Sequence, residues 1–277
     1  MRAISTVVDV TLCLLLVSAS AFVLVGAKPS DSPIRTRTAE STANVLETGT
    51  ANVNYTISSD SVTAHPTTHG TLAELLGQAA LANTTIRGTE LSPTSDSFER
   101  AVSRRVQERL GYPADRQFLV RWEPYRDSEL GGRFALGESP PRDVDVHAAV
   151  RSIPSGMPRV RTRALDAARR DGYRGVARVV AAGIVSGLVP NESTRMALRD
   201  RETGIVVARR FRRLIRSYDA VDSASPRLDS QQTRRALIHA MARTIESDIR
   251  RSFGTPTDAA RSVAVGRTEL VVRTWSA

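Results

Sequence analysis

The hydrophobic pattern is most uneven at the start of the chain. Val10 to Ala27, VTLCLLLVSASAFVLVGA, contains no charged residue. Eighteen residues in a helix reach about 27 Å, close to a hydrocarbon core of about 30 Å. This predicts one transmembrane helix over residues 1–27, with Val10, Leu12, Leu14, Leu15, Leu16, Phe22 and Leu24 as the anchor side chains and Asp9 at its entrance. Residues 28–50 then read as a polar juxtamembrane linker with Pro29 and Pro33, followed by a short helix over 39–47.

From residue 51 the period shortens to two. Val53, Tyr55 and Ile57 alternate with polar residues, as in a half-buried strand. Thr71 precedes a helical stripe of Leu72, Leu75, Leu76, Ala79 and Ala80, and Ser95 or Asp96 caps another, Phe98, Val102, Val106 and Leu110. Gln117–Tyr125 reads as a strand, Gly131-Gly132 as a turn and Arg133–Leu136 as the returning strand. Asp143–Val150 alternates again, which puts Val144, Val146, Ala148 and Val150 on the expected buried face, with His147 opposite and Asp143 and Asp145 together on one side. Pro154, Gly156 and Pro158 mark the internal boundary between a strand-rich half, 51–158, and a helical half, 159–277.

In the second half Val160–Leu188 reads as one long helix or two, interrupted near Gly172 and Gly175. Val176–Val189 is apolar except for Arg178, too short to cross a bilayer and expected as a core helix. Two further stripes follow: Val207, Phe211, Leu214, Ile215 and Tyr218, then Leu237, Met241, Ile245, Ile249 and Phe253. Thr268–Trp275 closes the chain as a strand that rejoins the sheet. The expected class is α+β: an N-terminal transmembrane helix, a small antiparallel sheet packed with several amphipathic helices, and a C-terminal strand.

Charge adds to this picture because it is lopsided. Residues 1–150 hold 14 basic and 17 acidic groups, residues 151–277 hold 25 and 12, and all but one of the basic residues are arginines. The run RRFRRLIR, with Arg209, Arg210, Arg212, Arg213 and Arg216, is the sharpest basic feature. It reads either as a solvated helix face or as a grip on an anionic membrane surface or partner. Nucleic acid is not expected. Asn54, Asn83 and Asn191 each fit the N-glycosylation pattern, and the Ser/Thr/Asn-rich stretch 36–70 looks like exported chain.

Catalytic chemistry is not announced. His65 and His69 are separated by Pro66 and followed by Gly70, so no helix presents them together as ligands. The single cysteine, Cys13, lies in the apolar run and excludes an intramolecular disulfide. A Walker-type loop is excluded, because its lysine is missing: Lys28 is the only one. No enzyme activity, cofactor, metal or small-molecule substrate is expected.

The stretches STVVDVTLCLLLVSASA, TANVLETGTANVNYT, HGTLAELLGQAALAN and DVHAAVRSIPSG carry a resemblance. The N-terminus resembles archaeal type IV pilin-like proteins, and the chain is similar to an uncharacterised haloarchaeal family of membrane-anchored proteins associated with pilus-like or Tad-like secretion genes. The likeness covers the first half well and the arginine-rich half only vaguely. It implies that Asp9 sets filament register by pairing with a neighbour's amino terminus. A cut after Ala3 makes Asp9 the sixth residue of the mature chain, and a cut after Ile4 makes it the fifth. Three readings of the segment stay open: a cleaved secretory signal ending at Val25-Gly26-Ala27, a plain signal anchor, and a pilin-type N-terminus. The resulting expectation is a single-pass cell-membrane protein, its bulk extracytoplasmic. It would serve as a pilin-like or accessory subunit, with membrane lipid and pilus or secretion assembly proteins as partners. The alternative is an anchored domain that binds an anionic partner or membrane surface through the arginine-rich helix.

Overall fold

A computed structural model describes residues 32–59, 62–91, 96–111, 115–188, 211–220 and 231–276. Among them a helix α1, Ser32–Thr48, leads into β1, Thr50–Asn54, β2, Ile57–Ser59, β3, Val62–Ala64, and β4, Thr67–Thr71. Helix α2, Leu72–Ala82, precedes β5, Thr84–Ile86, and β6, Thr89–Glu90; α3, Asp96–Leu110, precedes β7, Arg116–Trp122, β8, Leu130–Leu136, and β9, Val146–Pro154. The second half holds α4, Arg161–Leu188, α5 over 211–217, α6, Gln231–Ser252, α7, Pro256–Ser262, and β10, Arg267–Trp275. The described residues thus form a mixed α/β fold: seven helices and a small antiparallel sheet that includes the C-terminal strand. None of the described helices is long and apolar enough to cross a membrane. The apolar run at 10–27 and Asp9 lie outside the described residues.

The main sheet has the order β6-β5-β8-β7-β10-β9, and every pairing in it is antiparallel. The C-terminal strand does rejoin the sheet, between β7 and β9. Two small ribbons, β1 with β4 and β2 with β3, lie apart from it. One face of the sheet is covered. Phe118 and Val120 of β7, Phe134 of β8, Leu270 and Val272 of β10, and Ala149 and Ile153 of β9 form one apolar cluster with α1, α2 and α3. Ala39, Ala43 and Leu46 carry α1 into that cluster, fully buried. A second cluster joins α4, α5, α6 and α7 to Trp122, Tyr125 and Leu130 at one end of the sheet.

Local chemistry accounts for several elements. Thr71 and Glu74 form a reciprocal capping box at the start of α2: the Glu74 N–H donates to Thr71 Oγ1 at 3.1 Å and the Thr71 N–H to Glu74 Oε2 at 2.9 Å. Its stripe of Leu72, Leu75, Leu76, Ala79 and Ala80 is buried as expected. In α3, Phe98, Val102 and Val106 are buried and Leu110 is half-buried. The long helix α4 breaks where the sequence suggested, at Gly172, whose φ of 61° and ψ of −146° suit glycine. Its apolar second half is a core segment: Val176, Ala177, Val180, Ala181, Ile184 and Val185 are buried.

Other expectations are corrected. The helix after the apolar run begins at Ser32, so the polar linker is shorter than 28–38. The strand over 51–57 splits into β1 and β2, with Tyr55 between them packed edge-on against Phe98, ring centroids 4.8 Å apart. The strand at Gln117–Tyr125 ends earlier, at Trp122. Gly131 and Gly132 lie inside β8 and make no turn there. A Cβ on Gly132 would come within 2.0 Å of the Ala80 carbonyl oxygen, so glycine here admits the end of α2 against the strand.

Strand β9 is inverted relative to its own alternation. Val146, Ala148 and Val150 face outward, and Ala149 and Ile153 face the helices. The register explains this: Val272 of β10, wholly buried, stands opposite Ala149, and directly paired residues share a face. The stronger pattern of the central strand overrides that of its neighbour. Asp143 and Asp145 precede β9 in exposed irregular chain and share no strand face.

Candidate functional site

The described helices cover one face of the sheet, and no described element covers the opposite face of β8, β7, β10 and β9. Cross-strand pairing arranges it in rows. One row runs Arg133, Arg121, Glu269, Ser152, and the next runs Ala135, Leu119, Val271, Val150. The charged row is internally paired. Arg121 reaches Glu269 at 3.4 Å and Glu123 at 3.5 Å, and Arg133 reaches Glu123 at 3.6 Å. These groups are largely in water, where each pair contributes little to stability but fixes the side chains in an ordered array.

Beside this row lies a groove of about 630 Å³ between the sheet face and the segment around α7. Arg121, Arg126, Arg161 and Arg267 line it together with Glu123, Asp127 and Glu269. The Arg161 side chain is tied by Nε to the Val263 carbonyl at 2.8 Å. Neither histidine nor cysteine lines the groove, and its serines, Ser152 and Ser262, have no imidazole beside them there. This face presents guanidinium and carboxylate groups with a short apolar stripe next to them.

A buried acid lies under the same end of the sheet. Asp248 of α6 is 7% exposed. The Tyr125 hydroxyl donates to its Oδ2 at 3.1 Å, and Arg251 Nη2 donates to its Oδ1 at 2.6 Å. Burial raises the Asp248 carboxyl above its ordinary range, against the opposing pull of the Tyr125 hydrogen bond. Burial likewise pushes the phenols of Tyr125 and Tyr218 up. This group escaped the sequence reading because its members are far apart in sequence and Asp248 sits inside an ordinary amphipathic repeat.

The arginine-rich helix is amphipathic. Phe211, Leu214 and Ile215 of α5 are buried, while Arg212 and Arg216 are exposed. Arg213 donates to the Glu90 carbonyl at 2.7 Å, which ties α5 to β6. Arg209, Arg210 and Val207 lie outside the described residues, as do Asn191, Ser95 and the anchor residues Val10, Leu12, Leu14, Leu15, Leu16, Phe22 and Leu24. Asn54 is exposed on β1 and its Oδ1 accepts from Thr67 Oγ1 at 2.8 Å. Asn83 caps α2, and its amide donates to the Arg133 carbonyl at 3.1 Å. His65 and His69 have separate partners: His65 Nδ1 lies 3.2 Å from Thr56 Oγ1 and His69 Nδ1 2.8 Å from Asn52 Oδ1. Among the described residues no group of three or more His, Cys, Asp or Glu gathers as a metal site.

The structure therefore brings together Arg121, Arg133 and Glu269, which the sequence reading did not single out. The available signal was faint: one charge among apolar residues in each of QFLVRW and RFAL, and two charges four apart in TELVVRTW.

Residues 8–275 match a single family description. The chain belongs to DUF7284, a family of unknown function. The DUF7284 match takes in the whole uncharged run, 10–27, as well as the described part of the chain up to residue 275. No curated protein and no solved structure matches the chain.

Proposed function

We propose that this DUF7284 member is a single-pass membrane-anchored surface protein, a pilin-like or accessory subunit of a type IV pilus-like or Tad-like secretion or filament system. The observation that carries the reading is how α1 is held. It starts four residues, Lys28 to Asp31, after the uncharged run ends. It is fixed to the sheet by fully buried Ala39, Ala43 and Leu46. On its polar side Glu40 and Glu47 pair with Arg151 of β9. An anchor leading into such a helix would hold the domain at a defined height and angle. That suits a subunit that must keep register with its neighbours better than a domain on a loose tether.

The test is fractionation of cells expressing the full chain, with the N-terminal residue of the recovered protein determined. Retention in membranes, either intact or trimmed ahead of Asp9, is expected. A freely soluble chain, or one trimmed at Lys28, overturns the anchor. Asp9→Ala should keep membrane retention but lose co-isolation with assembly proteins; unchanged co-isolation removes the register role.

A second reading rests on Arg212 and Arg216, which are exposed on α5 and have no carboxylate partner among the described residues. In it the anchored domain uses these arginines to touch an anionic membrane or acidic partner. Arg212→Gln with Arg216→Gln should then reduce attachment of the domain to anionic vesicles without altering membrane anchoring.

A further inference from the structure

We infer that β9 is a self-pairing edge, through which two copies of the chain join their sheets antiparallel about a two-fold axis. The inference does not depend on the filament reading.

Strand β9 is nine residues long and ends the main sheet. It pairs with β10 on one side, and among the described residues no strand pairs with its other side. The Ser155 N–H donates to the Gly266 carbonyl at 3.3 Å, one step beyond the Pro154–Arg267 pair. Antiparallel hydrogen-bonded pairs recur every second residue. His147, Ala149, Arg151 and Ile153 therefore turn their backbone groups to β10. Val146, Ala148, Val150 and Ser152 turn theirs to the free edge. Pro154, the edge residue without an N–H, lies at the strand's end, where the loss matters least. The Val150 carbonyl accepts from Arg151 Nη1 at 3.2 Å, but a carbonyl has two lone pairs and can take a second donor.

The same even-numbered residues put their side chains on the open face. Val146 and Val150, 42% and 57% exposed, are the exposed large hydrophobic residues among the described ones. Long edge strands in monomers are ordinarily blunted by several charged side chains, proline, a bulge or a covering element. In β9 the one charged side chain, Arg151, pairs with Glu40 and Glu47 of α1 and reaches the edge only at the Val150 carbonyl, and the open-face positions are Val, Ala, Val and Ser.

Charge identifies the occupant as a second copy. Asp143 and Asp145 stand exposed just before the strand. Arg267 stands opposite Pro154 at its other end, and Arg159 packs there against Gly266. None of these four has an ion-pair partner among the described residues. Antiparallel pairing of β9 with itself sets each acidic end against the partner's arginine end, twice over. A parallel arrangement would set like against like. The apolar row of Ala135, Leu119, Val271 and Val150 would then continue across the junction into the partner's row.

The full chain in detergent tests this, in a Cys13→Ser background that removes its only cysteine. Light scattering should give a dimer. With the two-fold axis at Val150, a single cysteine at Val150 should form a disulfide-linked dimer on oxidation. A cysteine at Ala135, on the same face but three strands in from the edge, should not. Val150→Lys should weaken the dimer on the order of tenfold or more while leaving the circular-dichroism spectrum of the folded chain unchanged. Chains with Asp143→Arg and Asp145→Arg should fail to self-pair but associate with chains carrying Arg159→Asp and Arg267→Asp. A monomeric mass overturns the inference. So does a dimer indifferent to Val150→Lys, or one cross-linked through Ala135, which would place the contact on the face or in the apolar run instead. Cross-linking of Val150→Cys to a different protein in cells, with no self-linked product, would assign the edge to another partner and also overturn it.

Discussion

The hydroxyl of Tyr125, just beyond β7, donates to Asp248 of α6 at 3.1 Å and joins the end of the sheet to the helical layer. Burial raises the carboxyl of Asp248, so the folded protein binds this proton more tightly than the unfolded chain does. The folded state then carries more protons than the unfolded one, and stability falls as pH rises through and above the ordinary carboxylate range. Asp248→Asn keeps an acceptor for Tyr125 and removes the charge. The variant should melt at or above the wild-type temperature at neutral pH, and the difference should shrink as pH is lowered toward the ordinary range. Thermal melts of both proteins across that window check it.

Glu40 behaves in the opposite sense. The hydrogen bond from Arg151 holds its carboxyl below the usual range. Its contribution is present at neutral pH and is lost as acid protonates it. It is also exposed to solvent, so Glu40→Gln should cost little. The attachment of α1 rests instead on its apolar side. Leu46 is fully buried, and Leu46→Ala should destabilise by about 2–5 kcal/mol. Denaturant titration should rank Leu46→Ala far below Glu40→Gln in stability. The reverse ranking would mean that the ion pair, not the packing, fixes the helix.

What could be read from the sequence follows from where the pattern is strong. The stripes of α2, α3 and α6 and the break at Gly172 were legible because period and punctuation agree there. Strand β9 was read with its faces exchanged: Val144, Val146, Ala148 and Val150 are its more apolar set, yet pairing with Leu270 and Val272 decides which side is buried. Gly131-Gly132 looked like a turn because the close approach of Ala80 depends on a contact fifty residues away in the chain. The ordered row of Arg121, Arg133 and Glu269 needs the strand order β8-β7-β10, which no local pattern carries. The same holds for Tyr125 and Asp248, which are brought together by two separate elements.

Trp122 is fully buried and its Nε1 donates to the Val265 carbonyl at 3.0 Å. Ser155 Oγ donates to the same carbonyl at 2.9 Å. Trp122→Phe removes one donor and leaves a void, while the carbonyl keeps its second partner. A loss of about 1–3 kcal/mol is expected, mostly from packing. Adding Ser155→Ala should then cost more than it does alone, because the buried carbonyl loses its last donor. A double-mutant cycle by chemical denaturation measures that excess.

Gly132 tests how tightly α2 is held to the sheet. The Ala80 carbonyl oxygen lies 2.0 Å from where a Cβ would stand, and the Ala80 carbonyl carbon lies 2.9 Å away. Both are backbone atoms near the end of a helix whose core residues Leu75, Leu76 and Ala79 are wholly buried, so they cannot yield by a side-chain rotation. Either α2 moves outward or β8 gives up part of its pairing with β5, where Gly132 stands opposite Thr84. Overpacking of this kind costs about 1–3 kcal/mol, and more where backbone must shift. Gly132→Ala should therefore lower the melting temperature clearly, and hydrogen exchange should quicken in β5 and at the end of α2 before it does so in β10. Gly131→Ala, whose added carbon would meet the Trp122 carbonyl oxygen at 3.1 Å, should be the milder change. Equal effects at the two positions would show that the strand, and not the approach of the helix, requires glycine there.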